Sequence, residues 1–127
     1  ALTYSKTRII SGKPIIEYQG IQWKLADMAI KIETMKHLVY LAAQDTQLDG
    51  FPSPVASSIA KIVAAKEAVE VTNMAMEILG GYGYSKEYSL ERYMRDARGM
   101  TFTGGTIEVL YNAIGNDLIK KNDIEFT

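Results

Sequence analysis

The chain has 127 residues, 47% of them hydrophobic and 23% charged, and a formal net charge of −1 from 14 Lys+Arg against 15 Asp+Glu. That profile describes one soluble globular domain over residues 1–127, with no positive field to draw in nucleic acid or an anionic membrane. The absence of cysteine excludes disulfides and thiolate metal sites, the single histidine, His37, excludes a multi-histidine metal centre, and no apolar stretch reaches membrane-spanning length, so the cytosol or an organelle matrix is expected.

Ala1 to about Ile10 begins in mid-pattern without an N-cap and reads as the last turns of a helix, broken by Ser11-Gly12-Lys13-Pro14. From Gln19 the residues Ile21, Leu25, Met28, Ile32, Met35, Val39 and Ala42 follow at steps of 4,3,4,3,4,3. This spacing predicts a long helix packed nearly parallel to its neighbours, followed by a polar turn from Gln44-Asp45-Thr46 to Asp49-Gly50. Ser53-Pro54 is a helix start, with Ser as N-cap and Pro at the first position. The second long helix carries Ile62, Ala65, Val69, Thr72, Met76 and Leu79 inward and stops at Gly80-Gly81. A shorter helix is expected from about Leu90 to Arg98, and a last one after Thr106 with Ile107, Leu110, Ile114 and Leu118 inward. Thr101 to Thr103 reads as loop, and no convincing strand emerges. Short connections between long heptad-patterned helices predict an all-α, up-down helical bundle whose first helix is truncated.

Several segments carry chemistry beyond what folding asks of them. Three glycines in Gly80-Gly81-Tyr82-Gly83 exceed the needs of a helix stop and leave backbone that a flat or phosphorylated ligand can approach, although a cap and tight turn explain them locally. Thr103-Gly104-Gly105-Thr106 precedes a helix whose free N–H groups attract anions, or is simply a Thr N-cap with an eased turn. Arg8 beside a Gly-Lys-Pro turn offers a guanidinium to a phosphate, or is a surface arginine. Met28, Met35 and Met76 fit core packing better than an adaptable ligand surface. His37 falls off the seam, Trp23 lies beside it and can face a neighbouring domain or subunit, and Lys61, Lys66 and Glu67 read as solvated.

Taken in order, the segments Arg8 with Gly12-Lys13-Pro14-Ile15, Gln19-Gly20-Ile21-Gln22-Trp23-Lys24-Leu25-Ala26-Asp27-Met28, Ile78 to Tyr84, Glu91 to Arg98 and Gly105-Thr106-Ile107-Glu108 resemble the C-terminal helical domain of the acyl-CoA dehydrogenases, from Ala1 to about Lys121. The resemblance implies a flavoenzyme that removes an α-proton from an acyl-CoA and passes the β-hydrogen as hydride to FAD. It also implies a homodimer or homotetramer built through this bundle, an electron-transferring flavoprotein as partner of the parent enzyme, and a bacterial or archaeal cytoplasm or a mitochondrial matrix as its place. Carried over by position, Arg8 would bind the FAD pyrophosphate, and Ile10, Ser11, Ile15 and Tyr18 would lie along the adenine end. Glu77, Gly80 and Gly81 would line the pyrophosphate and adenosine region, and Thr106 with Glu108 would contact cofactor at the start of the last helix.

The chain departs from the resemblance at four positions. Ser11 stands where Phe is frequent, Glu77 where Gln is common, and Thr103 where Tyr is common. A carboxylate at 77 would repel a pyrophosphate unless it is protonated or bridged. Gly104 stands where many members carry the glutamate base, and a glycine cannot take a proton, so no catalytic residue is assigned. Either the base comes from an upstream helix, as in isovaleryl- and long-chain-type relatives, or dehydrogenation is lost; the Gly104-Gly105-Thr106 pattern favours the first. The chain thus reads as a fragment, inactive alone, of an FAD-dependent acyl-CoA dehydrogenase. The alternative is a stand-alone helical assembly module without chemistry.

Overall fold

The computed structural model describes residues 1–45 and 50–121; Thr46 and Asp49 of the expected polar turn lie outside the described residues. Two long helices dominate, α2 over Gln19–Gln44 and α3 over Pro54–Leu79, each about 39 Å long at the α-helical rise. α3 starts where the Ser-Pro pair predicts: Ser53 Oγ accepts the Ala56 N–H at 3.1 Å, and Pro54 occupies the first position, where its missing N–H costs nothing. The Ser53 N–H in turn donates to the Asp45 carbonyl at 3.1 Å, which ties the end of α2 to the start of α3. The two run antiparallel, and ion pairs Lys24–Glu77 and Lys31–Glu67 stitch one to the other.

α3 is the hub. α2 packs along it, and it also holds α5 (Leu90–Met100) and α6 (Ile107–Lys120), while α1 (Leu2–Thr7) and the single turn α4 (Gly81–Tyr84) gather at its C-terminal end. Its predicted seam holds: Ile62, Ala65 and Leu79 are buried, and Val69, Thr72 and Met76 are half-buried. The all-α, up-down bundle expected from the spacing is the observed architecture.

The α2 seam is only partly as expected. Met28 and Ala42 are buried, but Ile32 is 44% and Val39 47% exposed, and past Met28 the covered line runs through Lys31, Met35 and Leu38 to Ala42. Apolar residues at alternating steps of 3 and 4 fill a broad face, and a single partner helix covers only one edge of it. Lys31 enters the covered row because Glu67 on α3 neutralises it, a pairing that apolar periodicity does not register. α6 likewise differs from expectation at its end: Ile107, Leu110 and Ile114 are half-buried, but Leu118 is 46% exposed, and α6 has no buried residue.

The N-terminal helix stops at Thr7, short of the expected Ile10. Arg8 is extended, and Ile9–Ile10 (β1) pairs antiparallel with Lys13–Pro14 (β2) in the register Ile9↔Pro14 and Ile10↔Lys13. Ser11 and Gly12 have φ of 50° and 81°, the double positive φ of a two-residue hairpin turn. The β-branched pair and the Ser-Gly turn therefore outweigh the helical reading, and this short hairpin corrects the expectation of no strand. A 3₁₀ turn over Ile15–Glu17 then leads into α2. Ile15, Met28, Ala75, Ile78 and Leu79 form the core at this end, with Tyr4, Tyr18, Ile21 and Leu90 packed on it.

Candidate functional site

At the C-terminal end of α3 the glycines separate by what each one's backbone needs. Gly80 has φ 57° and ψ −134°, a region that side chains disfavour and not the left-handed C-cap geometry, so it is glycine for conformation. A Cβ on Gly83 would sit 3.0 Å from Leu79 Cβ and 3.3 Å from Met76 Cα, so it is glycine for packing. Gly81 has no positive φ, and a Cβ there would meet nothing within 4 Å. Neither conformation nor packing among the described residues asks for glycine at 81.

Gly80 and Gly81 form one wall of a cavity of about 610 Å³ whose other walls include Tyr4, Arg8, Ile10, Glu77, Tyr82 and Glu87. The Arg8 guanidinium lies 5.8 Å from the Tyr82 ring centroid and has no carboxylate partner among the described residues. Tyr82 is fixed by Tyr4 and Tyr88, the three ring centroids lying 6.1 to 6.2 Å apart in tilted and edge-on contacts. Beside it, a cavity of about 330 Å³ is lined by Ile10, Ile15, Tyr18, Ile21, Glu77 and Ile78. There the Tyr18 hydroxyl donates to the Ile10 carbonyl at 2.8 Å, and Lys13 Nζ sits 4.3 Å from the Tyr18 ring centroid, which braces the hairpin against α2.

Glu77 lines both cavities, and its carboxylate is not left bare. Lys24 on α2 donates to Oε2, and the Asn73 amide donates to Oε1 at 3.4 Å. Of the two conditions named for a carboxylate at this position, protonation or bridging, the structure shows a bridge to Lys24. Lys24 gave no sequence signal of its own, because the pairing spans two helices.

The structure thus brings Arg8, Ile10, Ile15, Tyr18, Glu77, Gly80 and Gly81 together around one end of the bundle. Ser11 lies at the hairpin tip, outside the lining of both cavities. Thr106 and Glu108 face a separate cavity of about 610 Å³ with Lys66, Glu70, Arg98 and Phe102. Thr106 Oγ1 caps α6, accepting the Val109 N–H at 3.4 Å. Gly104 and Gly105 hold φ of 69° and 103°, and Gly104 is open to solvent. On the same flank, Lys61, Lys66 and Glu67 tie helices together instead of being simply solvated: Lys61 donates to the Met100 carbonyl, Lys66 to Tyr111 Oη at 2.5 Å, and Lys31 to Glu67 at 2.6 Å. Side chains long enough to cross between helices escape a reading based on one helix's polar face.

Sequence reasoning missed a cavity of about 740 Å³ between α3 and α5, lined by Met76, Met94 and Phe102 together with Lys86, Glu91, Arg95 and Arg98. Met76 belongs to this surface, whereas Met28 is core. Of the two residues off the seam, Trp23 is 65% exposed, and His37, also exposed, donates Nδ1–H to the Glu33 carbonyl at 2.7 Å. Among the described residues no group of three or more His, Cys, Asp or Glu side chains is placed to hold a metal ion, and no helix is long and apolar enough to cross a membrane.

Comparison with known proteins adds an independent line. The family model described as acyl-CoA dehydrogenase, C-terminal domain, matches residues 1–119. The short-chain-specific acyl-CoA dehydrogenase of Megasphaera elsdenii is 46% identical over 120 residues, covering 94% of this chain and 31% of that protein. The 3-sulfinopropanoyl-CoA desulfinase of Paraburkholderia xenovorans is 44% identical over 119 residues, covering 94% of this chain and 30% of that one. A chain in the structure of the electron transferring flavoprotein of Acidaminococcus fermentans superposes with a TM-score of 0.88 at 40% identity, over 94% of this chain and 31% of its own length. The chain therefore spans about a third of the length of the relatives it matches.

Proposed function

Because the chain belongs to the acyl-CoA dehydrogenase family, as its C-terminal domain, we propose that it is the cofactor-contacting and assembly bundle of a flavin-dependent acyl-CoA dehydrogenase. The observation that carries this reading is the convergence of Arg8, the bridged Glu77 and the open backbone at Gly80 and Gly81 on one cavity. These residues fit an extended dinucleotide. The unpaired guanidinium meets a diphosphate, Gly81 lets the chain approach without a side chain between them, and Ile10, Ile15 and Tyr18 offer an apolar shelf to an aromatic base. When bound, FAD supplies the hydride acceptor for α,β-dehydrogenation of an acyl-CoA thioester.

Thr106 and Glu108 contact cofactor from the other cavity, so one copy offers two half-sites. A homodimer or homotetramer then completes each cofactor site with the Arg8 cavity of a neighbouring copy. An electron-transferring flavoprotein is the proposed redox partner of the parent enzyme, in keeping with the Acidaminococcus fermentans structure that this chain resembles.

The chain alone is proposed to be inactive as a dehydrogenase. Gly104 has no group to take the α-proton, and its φ of 69° disfavours any side chain there. The test is equilibrium dialysis of the chain against FAD, followed by an acyl-CoA assay with an artificial electron acceptor. Saturable binding is expected, weakened about tenfold by Arg8→Ala through loss of a charge-assisted phosphate contact, with no turnover in either case. Binding that ignores Arg8 would overturn the placement of the pyrophosphate, and turnover by the chain alone would overturn its inactivity.

A further inference from the structure

Glu77 occupies a special place between the two cavities at the end of α3. It lines the one that holds Arg8 and the one that holds Tyr18, so it stands between the candidate diphosphate position and the candidate base position. In an ADP unit the group between those two is the ribose. An ionised carboxylate is acceptor-only, with about four lone-pair positions on its two oxygens. Lys24 takes one position on Oε2 and Asn73 a long contact on Oε1, which leaves acceptor capacity on a carboxylate whose residue lines both cavities. A vicinal diol supplies two donors and is the natural complement to such a group.

Resting on the cofactor reading above, we propose that Glu77 is a specificity determinant that accepts an ADP unit with free ribose hydroxyls and rejects one whose ribose is phosphorylated. The surrounding charge supports this. Among the described residues Arg8 is the one cation lining the cavity, and in the cofactor reading the diphosphate engages it; Lys24 is held by Glu77, and the other charged lining residue is a second carboxylate, Glu87. A third phosphate, on the sugar, would face carboxylates and meet no further cation among the described residues that line the two cavities. The consequence is specific to a protein handling both FAD and an acyl-CoA. Both carry an ADP unit, but that of coenzyme A bears a 3′-phosphate, so this cavity would distinguish the cofactor from the substrate.

The experiment is isothermal titration of the 127-residue chain with FAD, ADP, 3′-phospho-ADP and 3′-deoxy-ADP, with circular dichroism to confirm that each variant keeps its helices. ADP is expected to bind about tenfold more tightly than 3′-phospho-ADP, a gap on the scale of one close like-charge contact near a protein surface. It should also bind several-fold more tightly than 3′-deoxy-ADP, which lacks one hydroxyl donor. Glu77→Gln should close the ADP to 3′-phospho-ADP gap to within about twofold, whereas Glu87→Gln, at a residue that lines only the Arg8 cavity, should narrow it less. Equal binding of the two nucleotides by the unmodified chain, or a gap that survives in Glu77→Gln, overturns the proposal while FAD binding keeps the cofactor reading intact. Failure of FAD itself to bind overturns both. The deoxy comparison uses no variant, so it decides the hydroxyl contact even if Glu77→Gln fails to fold.

Discussion

Gly80, Gly81 and Gly83 show how three identical residues in one turn answer to different physics. A Cβ on Gly83 would crowd Leu79 and Met76 at 3.0 and 3.3 Å, tighter than most side-chain contacts, so Gly83→Ala is expected to cost about 1–3 kcal/mol of stability through overpacking. Gly80→Ala forces a side chain into a disfavoured backbone region at a similar cost. Gly81→Ala, with open surroundings, should change stability by less than about 0.5 kcal/mol but reduce FAD affinity, because the new methyl stands on the cavity wall. Urea unfolding and equilibrium dialysis on the same three variants separate these cases; a Gly81→Ala protein with unaltered FAD binding would remove Gly81 from the site. The sequence marked this turn as dense in glycine but could not rank its members, since φ and nearest neighbours exist only once α3, α4 and α5 have met. Glu77 was legible as a charge out of place; its partner Lys24, 53 positions away along the chain, was not.

At the scale of elements, helix existence was legible from period and caps, and the finer question of which edge of a helix is covered was not. Ser53-Pro54 fixes the start of α3 through a hydrogen bond between near neighbours, which is why it could be read directly. The face of α2 depends on where α3 lies, and Lys31 is the residue that shows it. The Glu67 hydrogen bond raises the Lys31 pKa above its usual 10.5, overcoming partial desolvation, with Asp27 and Glu70 adding to the attraction. The folded chain therefore holds this proton more tightly than the unfolded chain. That contribution is fully present below about pH 10.5 and is lost as pH rises through the elevated folded value. Lys31→Met, which extends the apolar row of Met28 and Met35, should destabilise the chain near neutral pH by leaving Glu67 without its partner. The difference from the unmodified chain should shrink in alkaline solution. Urea midpoints compared at about pH 8 and about pH 11 test this, and a difference that stays constant or grows with pH would contradict the pairing.

Across the whole molecule, the apolar surface is larger than its internal core can account for. On α2, Trp23 and Ile30 are each 65% exposed and Leu41 is 62% exposed; spacings of 7 and 11 residues put them on one stripe, turned away from the Met28 row that meets α3. α6 adds Val109 at 58% and Ile119 at 77%. Monomeric proteins expose scattered apolar residues routinely, but aligned stripes mark surfaces that associate. The proposed assembly role therefore has a direct readout, because Trp23 is the one tryptophan in the chain. If copies associate through this stripe, its emission should shift to the blue as protein concentration rises, in step with an increase in sedimentation coefficient. Ile30→Glu, two turns along the same stripe, should abolish both changes. Its cost to the folded monomer should be under about 0.5 kcal/mol, because the side chain is exposed there. Association that persists in Ile30→Glu with Trp23 still in water would move the contact to another face, such as that of α6. A chain that stays monomeric at all concentrations would remove self-assembly by this domain alone, leaving the cofactor cavity at the end of α3 as its remaining proposed role.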